Sequence, residues 1–225
     1  MRIYFIILGL SLALQLSAQR GANSNYGTKS LSIGGISSVL KGNDAIINNF
    51  AAITGASELG IILSSERRFS LQELTSITMG IHLPTGKFGH LGLRINSYGF
   101  NDYKEQKISL AYAKKLHKKI AVSANLDYNS LRISEHGSTQ FLSFGIGFFG
   151  EISKSLRYGI SIFTPEKITI VNETEVPSFL KFGIAKSFSD KLEASVEIEK
   201  IIDETITEDL RLIERFFYQI KDIVK

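Results

Sequence analysis

Cysteine is absent from the 225 residues, and proline occurs only three times. Without cysteine, no disulfide can staple the chain and no thiolate can act as nucleophile or metal ligand. Charge of one sign is scarce too. The formal excess is only +4, with lysine and arginine dispersed along the chain rather than clustered, which argues against a nucleic-acid partner. Long apolar runs are missing after residue 14, and none approaches the roughly 18 to 20 residues a membrane helix needs. That excludes spanning by helices but not by strands, whose alternation leaves a weak hydropathy trace.

What is present begins with an export signal. Met1-Arg2 is a short positive segment, Ile3 to Leu14 is an apolar stretch, and Leu16-Ser17-Ala18 ends in small residues before Gln19. This order predicts a secretory signal peptide over residues 1–18, with the mature chain beginning at Gln19. Glycine (19), phenylalanine (15) and tyrosine (8) are plentiful, as a membrane barrel would have them.

Strict period-two alternation marks the middle of the chain. Ile120, Val122, Ala124, Leu126 and Tyr128 share one face of a strand, and Ala121, Ser123, Asn125 and Asp127 share the other. A strand from Ser109 to Leu116 precedes it across the turn His117-Lys118-Lys119. The template repeats at Leu142 to Ile152 and Leu156 to Ile162 around Ser153–Ser155. It returns at Leu180 to Ile184 and Leu192 to Ile198 around Ser189–Lys191. Upstream, Thr75 to Leu83 and Leu91 to Ile95 flank Pro84-Thr85-Gly86-Lys87, where Gly86 suits a positive φ.

These turns are short, whereas 97–107, 129–140 and 164–177 read as long loops. Short turns at one end and long loops at the other predict an all-β, antiparallel up-and-down transmembrane barrel in the outer membrane, with the short turns in the periplasm. Tyr98, Phe100, Tyr103, Tyr128 and Phe163 fall near strand ends, where an aromatic girdle would lie. On this orientation the polar faces line the lumen, and the candidate lining residues are Arg94, Asn96, Asn125, Asp127, Arg157, Glu193, Glu197 and Glu199.

No catalytic constellation emerges. His82, His90, His117 and His136 share no metal spacing, although His82 and His90 flank one hairpin. There is no Gly-x-Ser-x-Gly elbow and no phosphate loop. Glu193, Glu197 and Glu199 form a carboxylate stripe better suited to a wetted lumen than to acid–base chemistry. The reading is therefore non-enzymatic, without metal or cofactor, with outer-membrane lipid as the partner. The alternatives are a soluble periplasmic β-protein that binds an apolar ligand and an outer-membrane lipid hydrolase.

Two segments carry a family resemblance. Gly34-Gly35-Ile36-Ser37-Ser38-Val39 is followed by Asp44-Ala45-Ile46-Ile47-Asn48-Asn49-Phe50-Ala51-Ala52-Ile53. This opening resembles that of the PorV/PorQ-like outer-membrane proteins of type IX-secreting bacteria, relatives of the long-chain fatty-acid channel family. The family-like motif spans Asp44, Asn48, Asn49, Phe50 and Ala51, where Asn49 and Ala51 match the family's Asn and Ala and Phe50 stands where its proline is usual. Ile108 to Leu116, Leu126-Asp127-Tyr128 and Phe163-Thr164-Pro165 are similar to its strand patterns. The resemblance implies a barrel of some 12 to 14 strands that serves as a secretion accessory, a shuttle or a hydrophobic-solute channel. It further implies secretion-system components as partners, and a short helix over Asp44–Ile53 at the barrel mouth.

The end of the chain reads differently. Ile213, Phe216, Phe217, Ile220, Ile223 and Val224 follow helical spacing, with acids before them and lysines at the end. The barrel domain is accordingly bounded at 19–200, and 201–225 is expected to be a helix. Leu210-Arg211-Leu212 and Tyr218-Gln219-Ile220 leave a further hairpin open as an alternative. Chains of this kind end in a strand with a terminal aromatic, so Lys225 makes an incomplete barrel end the expectation.

Overall fold

The computed structural model describes residues 27–165, 169–170, 174–175, 178–189, 192–203 and 206–218. The expected signal peptide lies outside the described residues. The chain enters through a short helix α1 (Thr28–Ser32), a turn at Gly42–Asp44, a helix α2 (Ala45–Asn48) and a 3-10 segment Phe50–Gly55. The expected helix over Asp44–Ile53 is thus two short pieces, joined at Asn49. No strand forms over Gly34–Val39, where Gly34 and Gly35 take φ of 77° and 100°. Positive φ of that kind breaks extended structure.

Strands then follow in chain order: β1 (Gly60–Arg67), β2 (Thr75–Pro84), β3 (His90–Gly99), β4 (Tyr103–His117), β5 (Ile120–Ile133), β6 (Gly137–Glu151) and β7 (Leu156–Pro165). A minimal ladder of β8 (Thr169–Ile170) and β9 (Thr174–Glu175) precedes β10 (Ser178–Ser187), β11 (Leu192–Asp203) and β12 (Ile206–Tyr218). Apart from β8–β9, every strand pairs antiparallel with its neighbour in one ten-stranded meander. Among the described residues no ladder joins β1 to β12.

Three expectations shift. The loops at 97–107 and 129–140 are largely strand. β3 and β4 close at Gly99–Tyr103, and β5 and β6 turn over Ser134-Glu135-His136, with Glu135 at φ 67°. Polar residues there continue the ladder, so composition had marked the change of surroundings and not the end of hydrogen bonding. The expected C-terminal helix is instead a strand. β12 pairs with β11 from Leu192↔Tyr218 to Asp203↔Ile206, and residues 219–225 lie outside the described residues. The chain there has helical spacing and also alternates at Leu210, Leu212, Phe216 and Tyr218. Pairing the otherwise open edge of β11 decides between them. Phe163, placed in the girdle by sequence, shares the inward parity of Gly159 and Ser161 and lines the interior.

Layering is inverted relative to a soluble protein. Leu63, Met79, Ile95, Leu110, Leu126, Phe144, Phe182 and Val196 stand exposed on one face of the sheet. Ser64, Thr78, Arg94, Ser109, Asp127, Ser143 and Glu197 are buried on the other. What buries them is the N-terminal segment. Ile36, Ile46, Ile47 and Ile53 of that segment are fully enclosed, each isoleucine worth about 2 kcal/mol of transfer free energy. Ile46 and Ile53 pack with Ala111, Ala113 and Phe149 of the wall, and Ile36 packs with Ala185.

Contacts of the segment reach every strand from β1 to β7 and then β10 and β11. Thr28 Oγ1 meets Ser64 Oγ at 2.6 Å in β1, and Glu197 in β11 holds Ser37 and Ser38. A flat sheet cannot touch one short plug along nine strands. The Lys107 ammonium of β4 lies 4.3 Å from the Phe163 ring of β7, although three strand spacings amount to about 14 Å. The sheet therefore curls around the plug, with its apolar face outward.

Candidate functional site

Between the plug and the wall is a cavity of about 110 Å³. Its floor is Ile47, Asn48, Asn49 and Phe50 of the plug, and its walls carry Arg94, Lys107, Asp127, Lys181 and Glu199 with the rings of Phe163 and Phe179. Period-two alternation delivers these side chains. Residues 94, 107, 127 and 199 occupy the inward parity of β3, β4, β5 and β11, opposite Ile95, Ile108, Leu126 and Ile198.

Arg94 is the hub. Its Nη1 donates to the Ile47 carbonyl at 2.5 Å, and Nε and Nη2 donate to Ser109 Oγ at 3.2 and 2.9 Å. The guanidinium carbon lies 5.1 Å from the Phe50 ring. Asp127, fully buried, accepts from Asn125 Nδ2 at 2.8 Å. Its two oxygens stand 3.8 Å from Arg94 Nη2 and from Lys107 Nζ. Lys181 and Glu199 approach to 3.8 Å. Buried charges of this kind persist only when paired and hydrogen-bonded. The carboxylate Oδ2 of Asp127 makes no hydrogen bond among the described residues, leaving acceptor capacity beside the cavity.

A second group of residues bolts the plug down. Glu197 accepts from the backbone N–H of Ser37 (3.0 Å) and Ser38 (2.7 Å) and from both hydroxyls (2.8 and 2.6 Å). Arg157 donates to both Glu193 oxygens at 2.7 and 2.6 Å and, through Nε, to the Val39 carbonyl at 2.8 Å. Asn49 donates to the carbonyls of Ser38 (2.9 Å) and Phe148 (3.0 Å), tying the plug to itself and to β6. Glycines on the inward parity provide the socket. A Cβ on Gly92 would come 2.8 Å from the Phe50 ring, and one on Gly159 would collide with the Ser38 carbonyl.

The sequence-derived residues therefore divide. Arg94, Asn125, Asp127 and Glu199 face the cavity, as do Asn48, Asn49 and Phe50. Asn96 is buried beside them, donating to Thr78 Oγ1 at 2.7 Å. Arg157, Glu193 and Glu197 do not face it: Arg157 and Glu197 grip the plug, and Glu193 holds the Arg157 guanidinium. Glu197 is fully buried rather than wetted, because Ser37 and Ser38 cover it. Ala51 is sealed in the plug core, and Asp44 pairs with Lys29 at 3.2 Å. His82 and His90 do meet, Nε2 to Nδ1 at 2.8 Å with stacked rings, while His117 and His136 stand exposed at opposite ends. Among the described residues no three metal-ligating side chains converge.

Sequence reasoning missed Lys107, Ser109, Lys181 and Phe179. Lys107 fell inside an assumed loop, although it shares the parity of Ser109 and Ala111, which would have placed it inward.

An outward apolar face, an inward polar face and antiparallel neighbour pairing define a transmembrane up-and-down β-barrel fold. The solved structures it matches are of that kind. One is the CymD monoaromatic hydrocarbon channel, at a TM-score of 0.56 and 15% identity over 88% of this chain and 76% of that one. Another is the Ralstonia pickettii toluene transporter TbuX, at a TM-score of 0.52 and 12% identity over 88% and 79%. At such identity the likeness is one of fold. Comparison with protein-family models and with curated proteins finds no match.

Proposed function

We propose that this chain is a non-enzymatic outer-membrane channel for small apolar or aromatic solutes, exported by its signal peptide and closed by its own N-terminal segment. The observation that carries the reading is the cavity directly on the plug, where the rings of Phe50, Phe163 and Phe179 meet a few fixed polar groups. Mixed linings of this kind are how proteins hold and orient small molecules. The two matched structures, a monoaromatic hydrocarbon channel and a toluene transporter, support the same solute class. The test is uptake of labelled toluene by cells that carry the full chain in their outer membrane. Uptake several-fold above that of cells lacking it is expected; equal uptake overturns the reading.

A second reading is that of a secretion accessory or shuttle of the PorV/PorQ-like type. It is favoured by the resemblance over residues 34–53, the segment that forms the plug. It predicts that cross-linking in a type IX-secreting host captures secretion-system components on the chain. Recovery of none would leave the solute channel alone.

A further inference from the structure

The β2–β3, β4–β5, β6–β7 and β10–β11 turns share one end of the sheet, and that end is basic. The β4–β5 hairpin carries Lys114, Lys115, Lys118 and Lys119, and the other turns add Lys87, Lys154 and Lys186, all exposed. Over residues 84–90, 114–120, 150–157 and 186–191 the carboxylates are Glu151, which Lys41 of the plug already neutralises, and Asp190, which Lys191 follows in the sequence. The opposite end mixes signs, as in the 2.9 Å pair of Glu66 with Arg68.

The lysines do not stand alone. Phe88 (67% exposed), Leu116 (67%), Phe188 (59%) and Ile152 (54%) project from the same four turns. The Lys87 ammonium lies 5.3 Å from the Phe88 ring, and that of Lys186 lies 5.2 Å from the Phe188 ring. Apolar side chains interleaved with lysines suit the boundary between acyl chains and headgroups, where the stem stays in hydrocarbon and the ammonium reaches the phosphates. A cavity of about 60 Å³ opens beneath this rim, lined by Thr54 and Gly55 of the plug, by Lys115, Lys118 and Lys119, and by Glu151, whose carboxylate Lys41 holds. Lys119 Nζ spends one donor on the Ile152 carbonyl at 2.9 Å and keeps two.

We propose that Lys115, Lys118 and Lys119 form a seat for the headgroup phosphate of an anionic glycerophospholipid, in the leaflet that meets the end of the sheet carrying the β4–β5 turn. Each lysine near an anionic lipid surface contributes roughly a fivefold gain in affinity, so three set a marked preference for anionic over zwitterionic lipid. The inference needs the strands to span lipid but does not need solute to pass. Failure of toluene uptake leaves it standing.

Native mass spectrometry of the detergent-purified full chain, offered phosphatidylglycerol and phosphatidylcholine together at low ionic strength, tests it. Phosphatidylglycerol should be retained roughly tenfold or more over phosphatidylcholine. K115Q/K118Q/K119Q should bring the two near parity. The triple arginine variant should keep the preference, and so should K104Q at the opposite end. Heat-modifiable gel mobility checks that each variant is folded. An unchanged preference in the triple glutamine variant overturns the proposal. So does full displacement of lipid by inorganic phosphate at matched concentration, which would make the cavity a site for the free anion, or capture of an acidic protein by the rim in place of lipid.

Discussion

Glu197 accepts two backbone amides and two hydroxyls from one dipeptide of the plug, all within 3.0 Å. Removing that carboxylate strands two buried N–H groups, and an unpaired buried donor is penalised more than a made bond gains. E197A should therefore weaken plug docking by about 3 kcal/mol, and E197Q, which keeps one acceptor oxygen, by less. Limited proteolysis of folded protein in detergent checks this, with cleavage within residues 27–55 rising from wild type to E197Q to E197A. Equal cleavage in all three would mean that the apolar contacts hold the plug unaided. The alternation of β11 made the inward direction of Glu197 readable. Its partners were not readable, because Ser37 and Ser38 lie 160 and 159 positions away in the chain. Parity tells which way a side chain points and says nothing of what fills the space there, so a clamp was read as a wetted wall.

At the scale of the strand, the existence of elements was legible and their limits were not. Each hairpin of the middle region appears where the alternation put it, and Gly86 takes φ 62° as its turn required. Strand ends escaped because polarity rises where the surroundings change, while the ladder runs on to Gly99, Tyr103, Ile133 and Gly137. β12 escaped because its residues satisfy two periodicities, and only the edge of β11 chooses between them. The outward parity makes a sharp prediction. Leu126 of β5 pairs with Leu110 of β4 and Phe144 of β6, in the middle of the apolar face. An arginine on the lipid face at mid-depth is disfavoured by roughly 2 to 4 kcal/mol. L126R should lose that much stability in denaturant unfolding from vesicles, whereas S130R, near the loop end of β5, should lose far less. Equal losses would mean that residue 126 does not face hydrocarbon.

For the molecule as a whole, the question is whether the plug must move for anything to pass. Val39 and Ala185 lie in one buried cluster, Val39 on the plug and Ala185 on β10. The chain has no cysteine of its own, so V39C/A185C would form its disulfide without competing thiols. Around that contact, Glu197, Arg157 and Asn49 fix the plug by directional bonds, and Gly92 and Gly159 leave no slack for a shifted pose. A plug seated so closely has discrete positions instead of a continuum of small displacements. If the chain is the proposed solute channel, oxidised V39C/A185C should therefore lose most of the toluene flux, and reduction should restore it. The pair L110C/L126C, which ties two strands already in register on the outer face, should leave flux unchanged in either redox state. Equal flux through the locked and unlocked plug would place the solute path outside the plugged lumen, through the wall.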